Sequence, residues 1–179
     1  EVTRILPKAK KHSTPVTFRA AGTSLSGQAV TDSILLKLSH TGKNFRNYEI
    51  TNDGKEITLE PGLILGEVNR LLAKYKETNG LQTQYKMGPD PSSIDSCMIG
   101  GVVANNSSGM CCGVKQNTYH TLKDMRIVFV DGTVLDTADQ KSRDAFLSSH
   151  VDLVAGVVNL AKKVQADEDL VALIKKKHA

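Results

Sequence analysis

Apolar side chains recur at Val2, Ile5, Leu6 and Ala9, the spacing of one helix face, with Pro7 as a strain on that helix's interior. Val16 to Ala20 then reads as a short buried strand, Ala21 to Gln28 as a Gly- and Ser-rich turn, and Ile34 to Leu38 as the next buried strand. Glu56 to Glu60 alternates in the period of a strand and is stopped by Pro61-Gly62. Ile64, Val68, Leu71, Leu72 and Tyr75 follow at helical spacing, and Asn79-Gly80 closes that helix. Met125 to Val130 and Thr133 to Leu135 flank Asp131-Gly132, a pair expected to supply the positive φ angles of a two-residue hairpin turn. From Asp144 onward Phe146, Val151, Val154, Val158, Leu170 and Ile174 predict mostly helix. With no internal repeat and no low-complexity linker, the expected class is α+β, in one unit over residues 1–179 with a helical segment at 144–179.

Composition narrows what such a unit does. At 179 residues, 40% hydrophobic and 23% charged, the chain can bury a core, which argues against disorder. The formal charge of +4 is scattered, with local runs only at Lys8 to Lys11 and Lys175 to Lys177. Aromatics are 4% and Trp is absent, so the stacking platforms of single-strand binders are missing and no nucleic-acid partner is expected. No window approaches the ~18 apolar residues of a membrane helix, and no signal-peptide pattern opens the chain. A cytoplasmic protein without a membrane span, peripheral contact aside, is the expectation. Cys97, Cys111 and Cys112 are an odd count without a CxxC spacing, which argues against a disulfide framework and a zinc site, so no metal ligands are named. The adjacent cysteines read as small packing residues. The start at Glu1 and the end in a basic helical run suggest a portion of a larger protein.

Two stretches carry the chemistry. The first runs from Phe18 through Arg19, Ala20, Ala21, Gly22, Thr23, Ser24, Leu25, Ser26 and Gly27 to Gln28, a strand leading straight into small residues. Small side chains let successive backbone N–H groups form an anion nest suited to phosphate, although an ordinary Gly-rich turn has the same composition. Gly22 and Gly27 have Walker A spacing, but Gln28-Ala29 stands where Lys and Ser or Thr are required, which removes the phosphate cation and the magnesium hydroxyl. The three-glycine dinucleotide pattern opening a helix is absent, and neither Ser24 nor Ser26 sits in a GxSxG frame. The second stretch runs from Gly88 to Gly109, a Pro-rich turn followed by a short helix with Gly100-Gly101 in its middle. Each Gly costs a helix roughly 1 kcal/mol, so either a bound cofactor or tight helix packing must compensate.

Together these loops resemble the PCMH-type FAD-binding domain of the vanillyl-alcohol oxidase superfamily, in which two small α/β subdomains hold the cofactor between them. Leu59-Glu60-Pro61-Gly62 and Val130-Asp131-Gly132-Thr133-Val134-Leu135 extend the likeness over about Val16 to Thr137. The run from Asn105 to Gly113, with Asn117 to Leu122, is similar to the branch that oxidises D-2-hydroxy acids. Within it the run resembles large proteins in which the flavin module precedes an iron–sulfur module, which places any such cluster outside this chain. The resemblance implies that Ala21, Gly22, Thr23, Ser24, Leu25, Gly27 and Gln28 contact the pyrophosphate of FAD. It implies that Pro89, Ser96, Gly100, Gly101, Asn105 and Gly109 line the adenosine and flavin side. Ala20-Ala21 departs from the Gly-Gly of many relatives, and Ala tolerates positive φ poorly.

The resemblance also implies hydride transfer from a D-2-hydroxy acid such as D-lactate, glycolate or D-2-hydroxyglutarate to a flavin, with electrons passed on to an acceptor. Non-covalent attachment is expected, because relatives that tether FAD here use a His after the loop glycine, and this chain has Thr23. No catalytic residue is named. His120 beside Tyr119 reads as a structural hydrogen-bonder, and Asp95 and Asp124 as cap or surface carboxylates. Two other readings share the fold: a non-catalytic flavin-like binding module, and a flavin-dependent reductase of cell-wall precursors. A portion of a domain is also expected to hold FAD poorly alone and to self-associate through apolar surface.

Overall fold

The structure, a computed structural model, describes residues 1–39, 42–110 and 113–178; the Cys111-Cys112 pair lies outside them. The chain divides into two compact units, Glu1–Lys123 and Asp124–Ala179, where the sequence pattern suggests one.

In the first unit, helix α1 (Val2–Lys11) buries Leu6 and Ala9 and continues through Pro7. Strands β1 (Val16–Arg19) and β2 (Ile34–Lys37) pair in parallel, with Val16 opposite Ile34 and Arg19 opposite Lys37. They are not the buried strands expected. Phe18, Ile34 and Leu35 are exposed, because among the described residues this pair is a sheet of its own outside the central hydrophobic cluster. Strand β3 (Tyr48–Thr51), which the pattern does not announce, forms an antiparallel hairpin with β4 (Glu56–Leu59). Its turn takes Asn52, Asp53 and Gly54 successively to φ of 50°, 53° and 85°, a left-handed run tolerated by Asn, Asp and Gly.

Helix α2 (Leu65–Thr78) presents Leu65, Val68 and Leu72 to the core at i, i+3 and i+7. Its first turn is tied by Glu67, whose Oε2 accepts from the Ile64 N–H at 3.4 Å and from Arg46 Nη2 at 2.5 Å. Gly80, at φ +62°, follows its C-terminus as expected. Helices α3 (Ile99–Ala104) and α4 (Thr118–Thr121) complete the unit.

The core gathers Leu63, Leu65, Val68, Leu72, Cys97, Ile99 and Val102, with Ile50, Ile57 and Leu59 of the hairpin packed against it. The segments before α2 and α3 are joined by backbone hydrogen bonds. The Leu65 N–H donates to Cys97 O at 3.0 Å, Ile99 N–H to Leu63 O at 2.9 Å, and Gly100 N–H to Pro61 O at 2.9 Å. Leu65 and Met98 beside these bonds are wholly buried, so the bonds are shielded from water.

In the second unit, β5 (Arg126–Val128) and β6 (Val134–Asp136) form the expected hairpin with a different turn. Phe129 O accepts from Gly132 N–H at 2.9 Å, and Phe129 N–H donates to Thr133 O at 2.8 Å, so three residues make the loop. Only Gly132 is left-handed, at φ +89°, because a three-residue loop needs one such position rather than two. Helix α5 (Gln140–Ser149) is capped by Asp139, which accepts from the backbone N–H groups of Lys141 and Ser142. It buries Phe146 between Phe129 and His150, whose rings lie 4.6 and 4.2 Å away. Helices α6 (Val151–Ala166) and α7 (Glu168–His178) follow; α6 buries none of its residues.

The hairpin turn is also an electrostatic tie. Asp131 accepts from the backbone N–H of Thr133 at 2.9 Å and faces His150 Nε2 at 3.0 Å. The Thr133 N–H first, and then the Thr133 hydroxyl and His150, hold its carboxyl at a pKa of about 2. An unfolded Asp titrates near 3.9, so the folded form binds this proton less readily. Its stabilisation is present above about pH 4 and is lost as the pH falls towards about 2. The stability difference between wild type and Asp131→Asn, read from urea unfolding at each pH, should therefore shrink across that window. A difference that stays constant contradicts the assignment.

Candidate functional site

The two stretches picked out in the sequence lie in the same unit and meet. Gln28 Nε2 donates to Asn105 Oδ1 at 2.8 Å across 77 residues of chain. Gly101 faces Ala20, and a Cβ on Gly101 would stand 3.7 Å from the Ala20 Cβ. The loop after β1 thus lies against the face and C-terminus of α3.

The loop's backbone fits an anion. Among the described residues, none of the N–H groups of Ala21, Gly22, Thr23, Ser24 and Leu25 donates a hydrogen bond within the chain. Five successive unpaired donors next to small side chains are what a phosphate nest requires. Gly22 and Gly27 are left-handed, at φ +74° and +76°, whereas Ala20 and Ala21 keep ordinary backbone angles. The Ala-Ala departure therefore demands no strained alanine. The loop also holds Arg19, whose Nε is buried with no hydrogen-bond partner. Arg19 ends β1 and opens the small-residue stretch singled out in the sequence.

The second stretch divides by role. Asn105 reaches Gln28, and Gly101 lies on the loop. Gly100 packs against Pro61, whose Cβ would be 2.9 Å from a Cβ added there. The Gly pair lies in the first turn of α3 rather than its middle, and for Gly100 close packing compensates the helix cost. Pro89 is wholly buried, so it acts as support. Gly109 is pressed onto Asp90, whose backbone and carboxylate a Cβ would overlap. Ser96 is exposed in the turn before α3, its N–H bonded to Ser93 O at 2.8 Å.

The far end of α3 is pinned by Thr118, which is buried and donates to Ser107 O at 2.8 Å. Asn106, at φ +44°, accepts from the Tyr119 N–H at 2.8 Å. His120 is exposed, with Nδ1 2.9 Å from Asn117 Oδ1. Asp95 is an exposed carboxylate 3.4 Å from Arg70. Cys97 is buried among the core residues, and burial pushes its thiol pKa up, which makes it unreactive. No group of His, Cys, Asp and Glu able to hold a metal ion occurs among the described residues.

Residues 1–138 match the family model described as FAD binding domain. The chain belongs to that family. This FAD binding domain is 30% identical over 157 residues to the glycolate oxidase subunit GlcD of Escherichia coli (strain K12), covering 87% of this chain and 28% of that protein. It is 30% identical over 145 residues to D-lactate dehydrogenase [cytochrome] 1, mitochondrial, of Saccharomyces cerevisiae, covering 76% of this chain and 22% of that protein. Its fold is similar to part of 6-hydroxy-D-nicotine oxidase from Arthrobacter nicotinovorans, at a TM-score of 0.60 and 15% identity, over 75% of this chain and 27% of the other. The FAD binding domain thus spans about a quarter of the length of the relatives it matches. Its unpaired loop donors and orphaned Arg19 Nε fit the diphosphate of FAD in number and charge. No helix among the described residues is long and apolar enough to cross a membrane.

If the loop works through backbone geometry, shape outweighs any hydroxyl. A side chain on Gly22 would be strained at φ +74°, with its Cβ 2.5 Å from Arg19 Nε. Gly22→Val in the full-length protein should weaken FAD binding by roughly a hundredfold or more, because several donors are misaimed together. Ser26→Ala forfeits one hydroxyl, about 1 kcal/mol or roughly fivefold. FAD titration of both variants checks this, and equal losses contradict it.

Proposed function

We propose that this domain is the cofactor cradle of an FAD-dependent dehydrogenase that oxidises a D-2-hydroxy acid. The observation that carries the reading is the meeting of the two loops through Gln28 and Asn105 in a chain whose relatives include a glycolate oxidase subunit and a D-lactate dehydrogenase. FAD, when bound, supplies the two-electron acceptor for the hydrogen on the substrate's α-carbon; the redox chemistry is the cofactor's own.

The chain's own residues bind and orient. Ala21 to Leu25 offer backbone donors to the diphosphate, and Gly27 completes the loop's left-handed turns. Gln28 and Asn105 hold the loop against α3, and Gly101 leaves room for that approach. No base for the substrate hydroxyl is assigned within this chain, which spans about a quarter of the length of the relatives it matches. Substrate-carboxylate ligands are likewise not assigned to residues of this chain. Attachment of FAD is non-covalent, because Thr23 offers no ring nitrogen next to Gly22. Electrons leave to an acceptor beyond this chain, an iron–sulfur module being the one suggested by the run from Asn105 to Leu122.

The full-length protein should purify yellow and release that colour to the supernatant on acid precipitation. Anaerobically, D-lactate, glycolate or D-2-hydroxyglutarate should bleach it, and NADPH should not. Bleaching by NADPH alone would favour the reductase reading, and a colourless protein that takes up no FAD would leave only a binding module.

A further inference from the structure

Helix α2 and the chain that enters β3 enclose a cleft of about 440 Å³, within the size range of small-molecule sites. None of the residues lining it belongs to the two stretches assigned to the flavin. Leu63, Leu71 and Tyr48 give it apolar surface, and Leu63 is part of the hydrophobic core. Its charged lining is Arg46, Arg70 and Lys74 against one carboxylate, Glu67. Glu67, Arg70, Leu71 and Lys74 stand at i, i+3, i+4 and i+7 of α2, so one helix face supplies most of the wall.

The three cations differ in how far the chain satisfies them. Arg46 is fixed, its Nη2 donating to Glu67 Oε2 at 2.5 Å and its Nη1 to Gly62 O at 3.2 Å. A strained backbone delivers it: the preceding Phe45 takes φ +61°, a left-handed conformation costly for a bulky side chain, and the Gly62 N–H holds Phe45 O at 2.8 Å. Among the described residues Arg70 meets only the carboxylate of Asp95, at 3.4 Å, and both ends of that pair are exposed. Lys74 has neither a hydrogen bond nor an ion pair among the described residues, and the Tyr48 hydroxyl has no hydrogen bond among them. With Glu67 balancing Arg46, the charge left over is that of Arg70 and Lys74, one helical turn apart on the exposed side of the cleft, while Leu63 is buried on its inner side. Two neighbouring cations beside apolar surface suit an anion that carries an apolar body. A bare inorganic anion would satisfy the cations and leave the leucines and Tyr48 in water.

We propose that this cleft is a ligand site of its own, which takes a small carboxylate with an apolar tail. The carboxylate rests between Arg70 and Lys74, with the Tyr48 hydroxyl as a further donor, and the tail covers Leu63 and Leu71. The site stands independently of the flavin reading, and no bond is made or broken in it.

The test uses the full-length protein, titrated calorimetrically with octanoate, with octanol, which lacks the charge, and with acetate and inorganic phosphate, which lack the tail. Octanoate should bind saturably and roughly tenfold or more tightly than each of the other three, because only it meets both halves of the cleft. Lys74→Gln and Arg70→Gln should each weaken octanoate roughly three- to tenfold, the modest loss expected of an exposed charge contact, and high salt should narrow the difference from wild type. Lys74→Arg, which keeps the charge, should stay within about threefold of wild type. FAD affinity should be unchanged in all three variants. Octanoate that binds no better than octanol, acetate or phosphate would overturn the proposal without calling on any variant. Octanoate binding that survives Arg70→Gln and Lys74→Gln combined would place the ligand elsewhere and overturn it too. A combined variant that loses FAD and octanoate alike would make this face of α2 a structural support, which also contradicts a separate site.

Discussion

The site depends on the backbone hydrogen bonds between Pro61–Leu65 and Cys97–Gly100. They join the approach to α2 with the approach to α3, so that both helices enter the core from one shared edge. Each such bond contributes only about 1 kcal/mol net, but leaving its groups buried and unpaired would cost more, so the arrangement is all or nothing. Met98 and Leu65, among the most buried residues of the chain, lock it from the inside. The Pro-Gly pair at 61 and 62 serves this edge. Pro61 supplies the carbonyl for Gly100, and at Gly62 a Cβ would stand 2.7 Å from Phe45 O.

From that edge the site follows. With Gly100 pressed on Pro61, the next residue, Gly101, is turned to Ala20, and Asn105 at the end of α3 comes within reach of Gln28. Thr118 and Asn106 hold the same helix end from the other side. Two loops that sequence separates by some 70 residues thus form one surface, at which backbone donors and the Nε of Arg19 are without partners among the described residues. Stability and function pull apart here. The core residues pack against one another, whereas the Arg19 Nε and the loop N–H groups have no acceptor among the described residues.

What the sequence reveals is what backbone chemistry dictates locally. Gly22 and Gly27 mark left-handed positions, Asn79-Gly80 a helix end, and Asp131-Gly132 a hairpin, and each stands where composition puts it. What it hides depends on contacts across the chain. Strand β3 is invisible because Tyr48 to Thr51 has only one side chain turned towards the core, Ile50, and its turn is the left-handed Asn-Asp-Gly run. Strands β1 and β2 read as buried because Ile34, Leu35 and Phe18 are apolar, and nothing in periodicity reports that their sheet is a separate pair. Gly100 and Gly101 look alike in the sequence, yet one is explained by Pro61 and the other by Ala20. Arg19 gives no local sign of lacking an acceptor, since that is a property of its surroundings.

The central claim is that the loop after β1 and the α3 segment are two walls of a single FAD site. Hydrogen–deuterium exchange of the full-length protein, with and without FAD, tests it at the amides themselves. The five loop N–H groups from Ala21 to Leu25 donate no hydrogen bond among the described residues, and FAD should protect them together with the segment from Gly100 to Asn105, at the same FAD concentration. Protection of one segment without the other, or of neither while FAD is bound elsewhere, would contradict the account.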